Sequence, residues 1–144
     1  METTMKLDTY LKFDGNCREA FEFYRSALGS EFQIVQTFRD GPPDMGVSEE
    51  YLDRIMHVSL PVGSSVLMGS DTAPPFGPSA VIGNNFSITL HAASREEADS
   101  TFAKLSEGGS VTMPLQDTFW GAYFGSLTDR FGVNWQVHHD QPGS

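Results

Sequence analysis

Apolar positions along this chain come in short runs, and only twice do they take up a helical period. Thr9-Tyr10-Leu11-Lys12-Phe13 is aromatic, alternating and bounded by Asp14-Gly15-Asn16, so it reads as a strand. Over residues 17–28, Ala20, Phe23, Tyr24, Ala27 and Leu28 fall on one helical face. Asn16 stands where an N-cap side chain accepts from the first free amides, and Gly29 suits a left-handed C-terminal cap. Residues 32–38 alternate as a strand, and residues 40–53 hold Gly, Pro and several acids, as a loop does. Residues 55–62 and 65–70 form a hairpin pattern around Gly63-Ser64. Residues 72–84, rich in Pro and Gly, read as a linker.

The second half repeats the order. Residues 86–92 alternate as a strand, with Phe86, Ile88 and Leu90 expected to pack inward. Ser94-Arg95-Glu96-Glu97 has the spacing of a capping box, and Ala98, Phe102 and Leu105 form the stripe of the helix after it. Gly108-Gly109 ends that helix, and residues 110–115, 122–127 and 133–138 supply three more strands. Laid on one another, the halves bring Ala20 onto Ala98, Tyr24 onto Phe102 and Thr9 onto Ser87. Each unit of such a repeat has an apolar face to bury. The expectation is one α+β domain over residues 1–144, with a first module at about 6–71 and a second at about 85–139.

Composition narrows the class. At 144 residues with 39% hydrophobic content, the chain needs no disulfide or metal staple to fold. The net charge of −10 opposes binding to nucleic acid or to anionic lipid. No apolar run approaches the ~20 residues of a membrane span, and the first six residues lack the apolar core of a secretory signal. One cysteine, Cys17, permits no intrachain disulfide and fits a reducing cytoplasm. Residues 141–144 read as a loose tail.

Alternation sorts the candidate side chains onto faces. In the strand over residues 55–62, Met56, Val58 and Leu60 are expected under a helix, with His57 and Ser59 on the opposite face. Ser87, Thr89 and His91 share one face of the fifth strand, and Asn134, Gln136 and His138 share one face of the last. Sheet faces this polar suit a ligand or ordered water. An imidazole can act as acid, base or ligand, which makes His57 the leading candidate; the alternative is a hydrogen-bonded structural histidine. His91 is expected in solvent, and His138 and His139 precede the tail. Trp120 and Phe124, with Phe119 and Tyr123, cluster around Gly121 and Gly125. They read either as an aromatic wall over a ligand or as core and dimer packing, while Trp135 reads as core. Cys17 lies in a first helical turn, where the dipole favours a thiolate, but an inert buried thiol is the competing reading. Asp71 reads as a turn residue. There is no P-loop, no dinucleotide-binding glycine motif and no Gly-x-Ser-x-Gly elbow.

Several stretches resemble PhnB-like proteins of the glyoxalase/bleomycin-resistance/dioxygenase superfamily, also called vicinal oxygen chelate. They include Tyr10-Leu11-Lys12-Phe13, Met56-His57-Val58-Ser59-Leu60, Leu67-Met68-Gly69-Ser70-Asp71 and Pro114-Leu115 with Thr118-Phe119-Trp120-Gly121. Asp129-Arg130-Phe131-Gly132-Val133-Asn134-Trp135 completes them. The resemblance implies two β-α-β-β-β modules with curved mixed sheets, helices on the convex side, a ligand in the concave cup and a homodimer. It also implies a divalent metal held from four strands. The corresponding positions here fall on Thr9 (or Asp8), Leu67 or Met68, Ser87 and Gln136, which are poor donors for such an ion. No metal and no cofactor is therefore expected, and Thr9, Ser59, Ser87, Thr89, Trp120, Phe124 and Gln136 become candidate contacts to an unknown small molecule. Three functions follow: a metal-free small-molecule-binding protein, a lyase- or isomerase-type enzyme using His57, or a structural or partner-binding module.

Overall fold

The computed structural model describes residues 5–140, so the expected tail at 141–144 lies outside the described residues. The chain divides into two compact units, Met1–Val81 and Ile82–Ser144. Each has the same element order. The first comprises β1 (Thr9–Phe13), α1 (Cys17–Leu28), β2 (Ile34–Thr37), β3 (Ile55–Val62) and β4 (Ser65–Asp71). Its sheet runs β1-β4-β3-β2, with β1 and β4 parallel and the other pairs antiparallel. The second comprises β5 (Ile88–His91), α2 (Arg95–Ser106), β6 (Ser110–Asp117), β7 (Ala122–Thr128) and β8 (Asn134–Asp140). It repeats the order as β5-β8-β7-β6, again with the first pair parallel. This is the α+β arrangement of two four-stranded mixed sheets, each served by one helix.

One face of each sheet is buried under its helix. In the first unit, Leu11, Phe13, Val58, Leu60 and Leu67 pack beneath Phe21 and Tyr24. Fully burying each such side chain contributes roughly 2 kcal/mol. Gly69 makes the approach of α1 possible, because a Cβ there would meet the Phe21 ring at 2.6 Å. In the second unit Trp135, Val137 and Leu127 lie on the face covered by Phe102 and Leu105.

A buried carboxylate fastens each unit. Asp71, at the end of β4, accepts from the Gly15 and Cys17 amides through Oδ1 at 2.7 and 2.9 Å and from the Ile55 amide through Oδ2 at 2.9 Å. It thus takes the capping role expected of Asn16, whose side chain makes no cap hydrogen bond. Asp129 accepts from the Phe131 and Val133 amides at 2.8 and 3.0 Å and from the Trp135 indole at 2.8 Å. The box at α2 forms, with Ser94 Oγ accepting from the Glu97 amide at 3.0 Å while Glu97 accepts from Ala93 rather than from Ser94 itself.

Two expectations of placement are corrected. Met56 is not under α1: the β2–β3 register shifts between Gln36 and Thr37, so Ile55 joins Val58 beside Phe21 and Met56 turns its sulfur toward Gly41. Phe86 is not packed inward, because β5 begins only at Ile88 and leaves Phe86 58% exposed. The segment read as a linker holds the boundary between the two units, and its first part is anchored to the first unit: the Thr72 amide donates to the Phe13 carbonyl, and the Ala80 amide donates to Asp14.

Candidate functional site

The face of the first sheet opposite α1 carries the reactive side chains of that unit. Leu11 and Phe13 are buried toward the helix, so Tyr10 and Lys12 point away from it. Register places Tyr10 beside Met68, and Met68 beside Ser59, on one row across the sheet. His57 lies two residues along from Ser59 on the same face, as expected. The Tyr10 hydroxyl and His57 Nδ1 are 3.3 Å apart, and the two rings stack with centroids at 5.7 Å. Ser59 is 3% exposed, and its hydroxyl has no hydrogen-bond partner among the described residues. A buried, unpaired hydroxyl costs about 1–3 kcal/mol, so it marks a place where a partner is wanted.

Thr9 is not part of that group. It has the parity of Leu11 and Phe13, and its register partner is the buried Leu67. Tyr10, which sequence reasoning passed over, occupies the position instead. The burial of Leu11 and Phe13 was the signal for it, since their parity assigns Tyr10 to the opposite face.

The open face of the second sheet is polar in another way. Thr89 Oγ1 donates to Gln136 Oε1 at 3.0 Å, Thr112 and Ser126 hydroxyls lie 2.7 Å apart, and Thr128 donates to Asn134 Oδ1 at 2.7 Å. These groups satisfy one another. Ser87 precedes β5 and is exposed, so the strand does not fix its side chain. Toward the strand ends, His91 and His138 are register partners with ring centroids 5.2 Å apart. Phe124 lies 6.3 Å from His138 and 6.2 Å from Trp120, which continues to the exposed Phe119. His138 Nε2 is 2.8 Å from Asp140 Oδ1, and that bond holds the Asp140 carboxyl below its usual range. His138 precedes the expected tail, but β8 runs on to Asp140 and gives it a fixed place. Tyr123 turns the other way, donating to Asp99 beneath the Arg95 guanidinium, so it is no part of the aromatic row. Its hydroxyl pKa is raised, first by that Asp99 bond and then by burial.

The positions that hold a metal in the superfamily do not fit one here. Thr9 lies on the helix side, Asp8 accepts from the Val66 amide, Leu67 is buried and apolar, and Gln136 is bonded to Thr89. Hydroxyl, amide and alkyl groups do not make a tight divalent site. Among the described residues, no three His, Cys, Asp or Glu side chains converge as ligands would. Cys17 is fully buried, and burial, followed by the Asp71 carboxylate, pushes its thiol pKa far up, so it is an inert thiol. No helix among the described residues is long and apolar enough to cross a membrane.

Residues 5–138 match the sequence profile of the family described as 3-demethylubiquinone-9 3-methyltransferase. Protein YjdN of Escherichia coli K12 is 33% identical, over 93% of this chain and 95% of its own length. The crystal structure of PA1353 from Pseudomonas aeruginosa shares 43% identity with a TM-score of 0.82, covering 96% of this chain and 99% of that one. A Bacillus cereus PhnB protein, described as a putative 3-demethylubiquinone-9 3-methyltransferase, shares 26% identity with a TM-score of 0.72, covering 94% and 99%.

Proposed function

This chain belongs to the 3-demethylubiquinone-9 3-methyltransferase family, the PhnB-like branch of the vicinal oxygen chelate superfamily, and from that premise we propose a small-molecule-binding role. The ligand is a small oxygenated organic compound, held on the open face of the first sheet without the superfamily's usual metal. One observation carries the reading: the unpartnered Ser59 hydroxyl lies on the same face as the Tyr10–His57 pair. A ligand oxygen there would pair with Ser59, and His57 and Tyr10 would supply a second polar contact. Trp120 and Phe124 offer an aromatic surface on the second unit. Thr89 and Gln136 are already paired with each other and carry less of the argument. The protein is a cytoplasmic homodimer in this reading.

A second reading, an enzyme of lyase or isomerase type, is favoured by the Tyr10–His57 bond specifically. With the Tyr10 hydroxyl as donor to Nδ1, 3.3 Å away, the imidazole would carry its proton on Nε2, as an acid–base residue requires. His57 would then move a proton on the bound compound.

Ligand-observed NMR with a panel of small hydroxy and keto compounds tests the first reading. Saturable binding that His57→Ala and Ser59→Ala both weaken supports it; binding indifferent to both overturns it. Turnover that His57→Ala abolishes in a folded protein moves the balance to the enzyme. Stoichiometric metal tied to either activity overturns the metal-free part, and a light-scattering mass of one chain overturns the dimer.

A further inference from the structure

We infer that the first unit carries a second binding site, in which the cleft over Arg54 takes a small carboxylic acid that also bears an amine or hydroxyl. The cleft encloses about 230 Å³ and is lined by Asp14, Tyr51, Arg54, Thr72 and Ser79 among others. It shares no residue with the Tyr10–His57–Ser59 group. A water occupies about 30 Å³ of liquid, so the space suits an acid of a few carbons.

Its charged wall is a guanidinium fixed in advance. Arg54 Nη1 donates to the Thr72 carbonyl at 2.8 Å, and the charge lies 4.8 Å over the Tyr51 ring. On another side is Gly15, with φ of +116°, where a Cβ would come within 3.1 Å of Nη2. A side chain at residue 15 would both strain the backbone and crowd the guanidinium. Holding the fork still before a ligand arrives lowers the entropy cost of binding.

Arg54 makes no direct ion pair among the described residues, in contrast to Arg25, Arg39 and Arg95, although the Asp14 carboxylate across the cleft feels its charge. Arg25, Arg39 and Arg95 pair with carboxylates at 2.9, 2.9 and 2.7 Å. Among the described residues none lies within salt-bridge distance of Arg54. The donors of its fork not spent on Thr72 can take a carboxylate, the geometry arginine matches best.

Asp14 sets the rest of the ligand. Its Oδ1 accepts from the Thr72 hydroxyl and from the Ala80 amide at 3.0 Å, and these bonds, the Thr72 bond first, hold its pKa below the usual range. An ionised carboxylate beside the arginine repels a compact dianion such as phosphate. It accepts a bond from an ammonium or hydroxyl on the same molecule that pairs with Arg54.

The test is amide NMR of the full chain titrated with L-serine, L-lactate, acetate and inorganic phosphate. Serine and lactate should shift the Gly15, Thr72 and Gly77 amides saturably, with a Kd of about 1 mM or tighter. Acetate should bind about tenfold more weakly or worse, for want of a donor, and phosphate weaker still. Arg54→Gln should remove binding, Asp14→Asn should erase the preference over acetate, and His57→Ala should change neither. Should Arg54→Gln fail to fold, Asp14→Asn carries the test by itself. No saturable shift with either acid, preference for phosphate, or unchanged affinity in the arginine variant would overturn the site. Because His57→Ala is the control, failure here leaves the Ser59 face untouched, and failure there leaves this cleft standing.

Discussion

The two open sheet faces are equally polar by sequence and differ in how that polarity is used. On the second sheet, Thr89 with Gln136, Thr112 with Ser126 and Thr128 with Asn134 close on one another. On the first, Ser59 has a buried hydroxyl with no partner among the described residues. A polar face alone therefore does not point to a ligand, because hydroxyls and amides at cross-strand positions can satisfy themselves. The unsatisfied group is the informative one. The units agree, by contrast, in their fastening: each spends one buried aspartate on three N–H donors.

That shared fastening gives the largest expected effects. Asp71→Ala strands three amides around the start of α1 and β3, and Asp129→Ala strands two amides and the Trp135 indole. Losing charge-assisted bonds to buried donors should cost about 4 kcal/mol in each case, measured by urea denaturation. A loss under about 1 kcal/mol in either variant would show that water replaces the carboxylate there, and would break the parallel between the units.

A smaller effect is confined to the first unit. Burial raises the Cys17 pKa, with the nearby Asp71 carboxylate adding to it. The folded pKa lies above the unfolded one, so the thiol's contribution is full below the ordinary thiol range and is lost as pH rises above it. Stability should fall by about 1.4 kcal/mol per pH unit from this group once the unfolded thiol ionises, near pH 9. Cys17→Ala should flatten that slope in denaturation curves between about pH 9 and 11. An identical slope in both proteins would mean the thiol is not sealed in the core.

Much of the fold was legible because its signals are local. The stripe through Ala20, Tyr24 and Ala27, closed by Gly29 at φ 65°, defines α1, and Ser94 with Glu97 marks the start of α2. What was not legible depends on pairing across the sheet. Met56 breaks the alternation because it is the extra residue of β3 opposite Gln36 and Thr37, a bulge that only the pairing with β2 reveals. Asn16 lost its capping role to Asp71, a residue far along the chain. At the site, alternation put His57 and Ser59 on one face, but nothing in the sequence reveals that Ser59 lacks a partner. His138 was undervalued because closeness to the terminus hid its pairing with His91.

The smallest effects separate the two faces most sharply. Ser59→Ala removes a buried hydroxyl that has no partner among the described residues, so it should stabilise the free protein by about 1 kcal/mol. Thr89→Val breaks a pair that is exposed to water, and should change stability by no more than about 0.5 kcal/mol. With a ligand from the hydroxy and keto panel, the order reverses: Ser59→Ala should weaken binding about tenfold, while Thr89→Val should leave it within about twofold. Stability gained together with affinity lost is what a hydroxyl held ready for a ligand produces. A hydroxyl that served packing would instead lose stability on removal and leave affinity unchanged. Equal behaviour of the two variants in both measurements would show that the open faces are equivalent, and the assignment of the ligand to the first unit would fall.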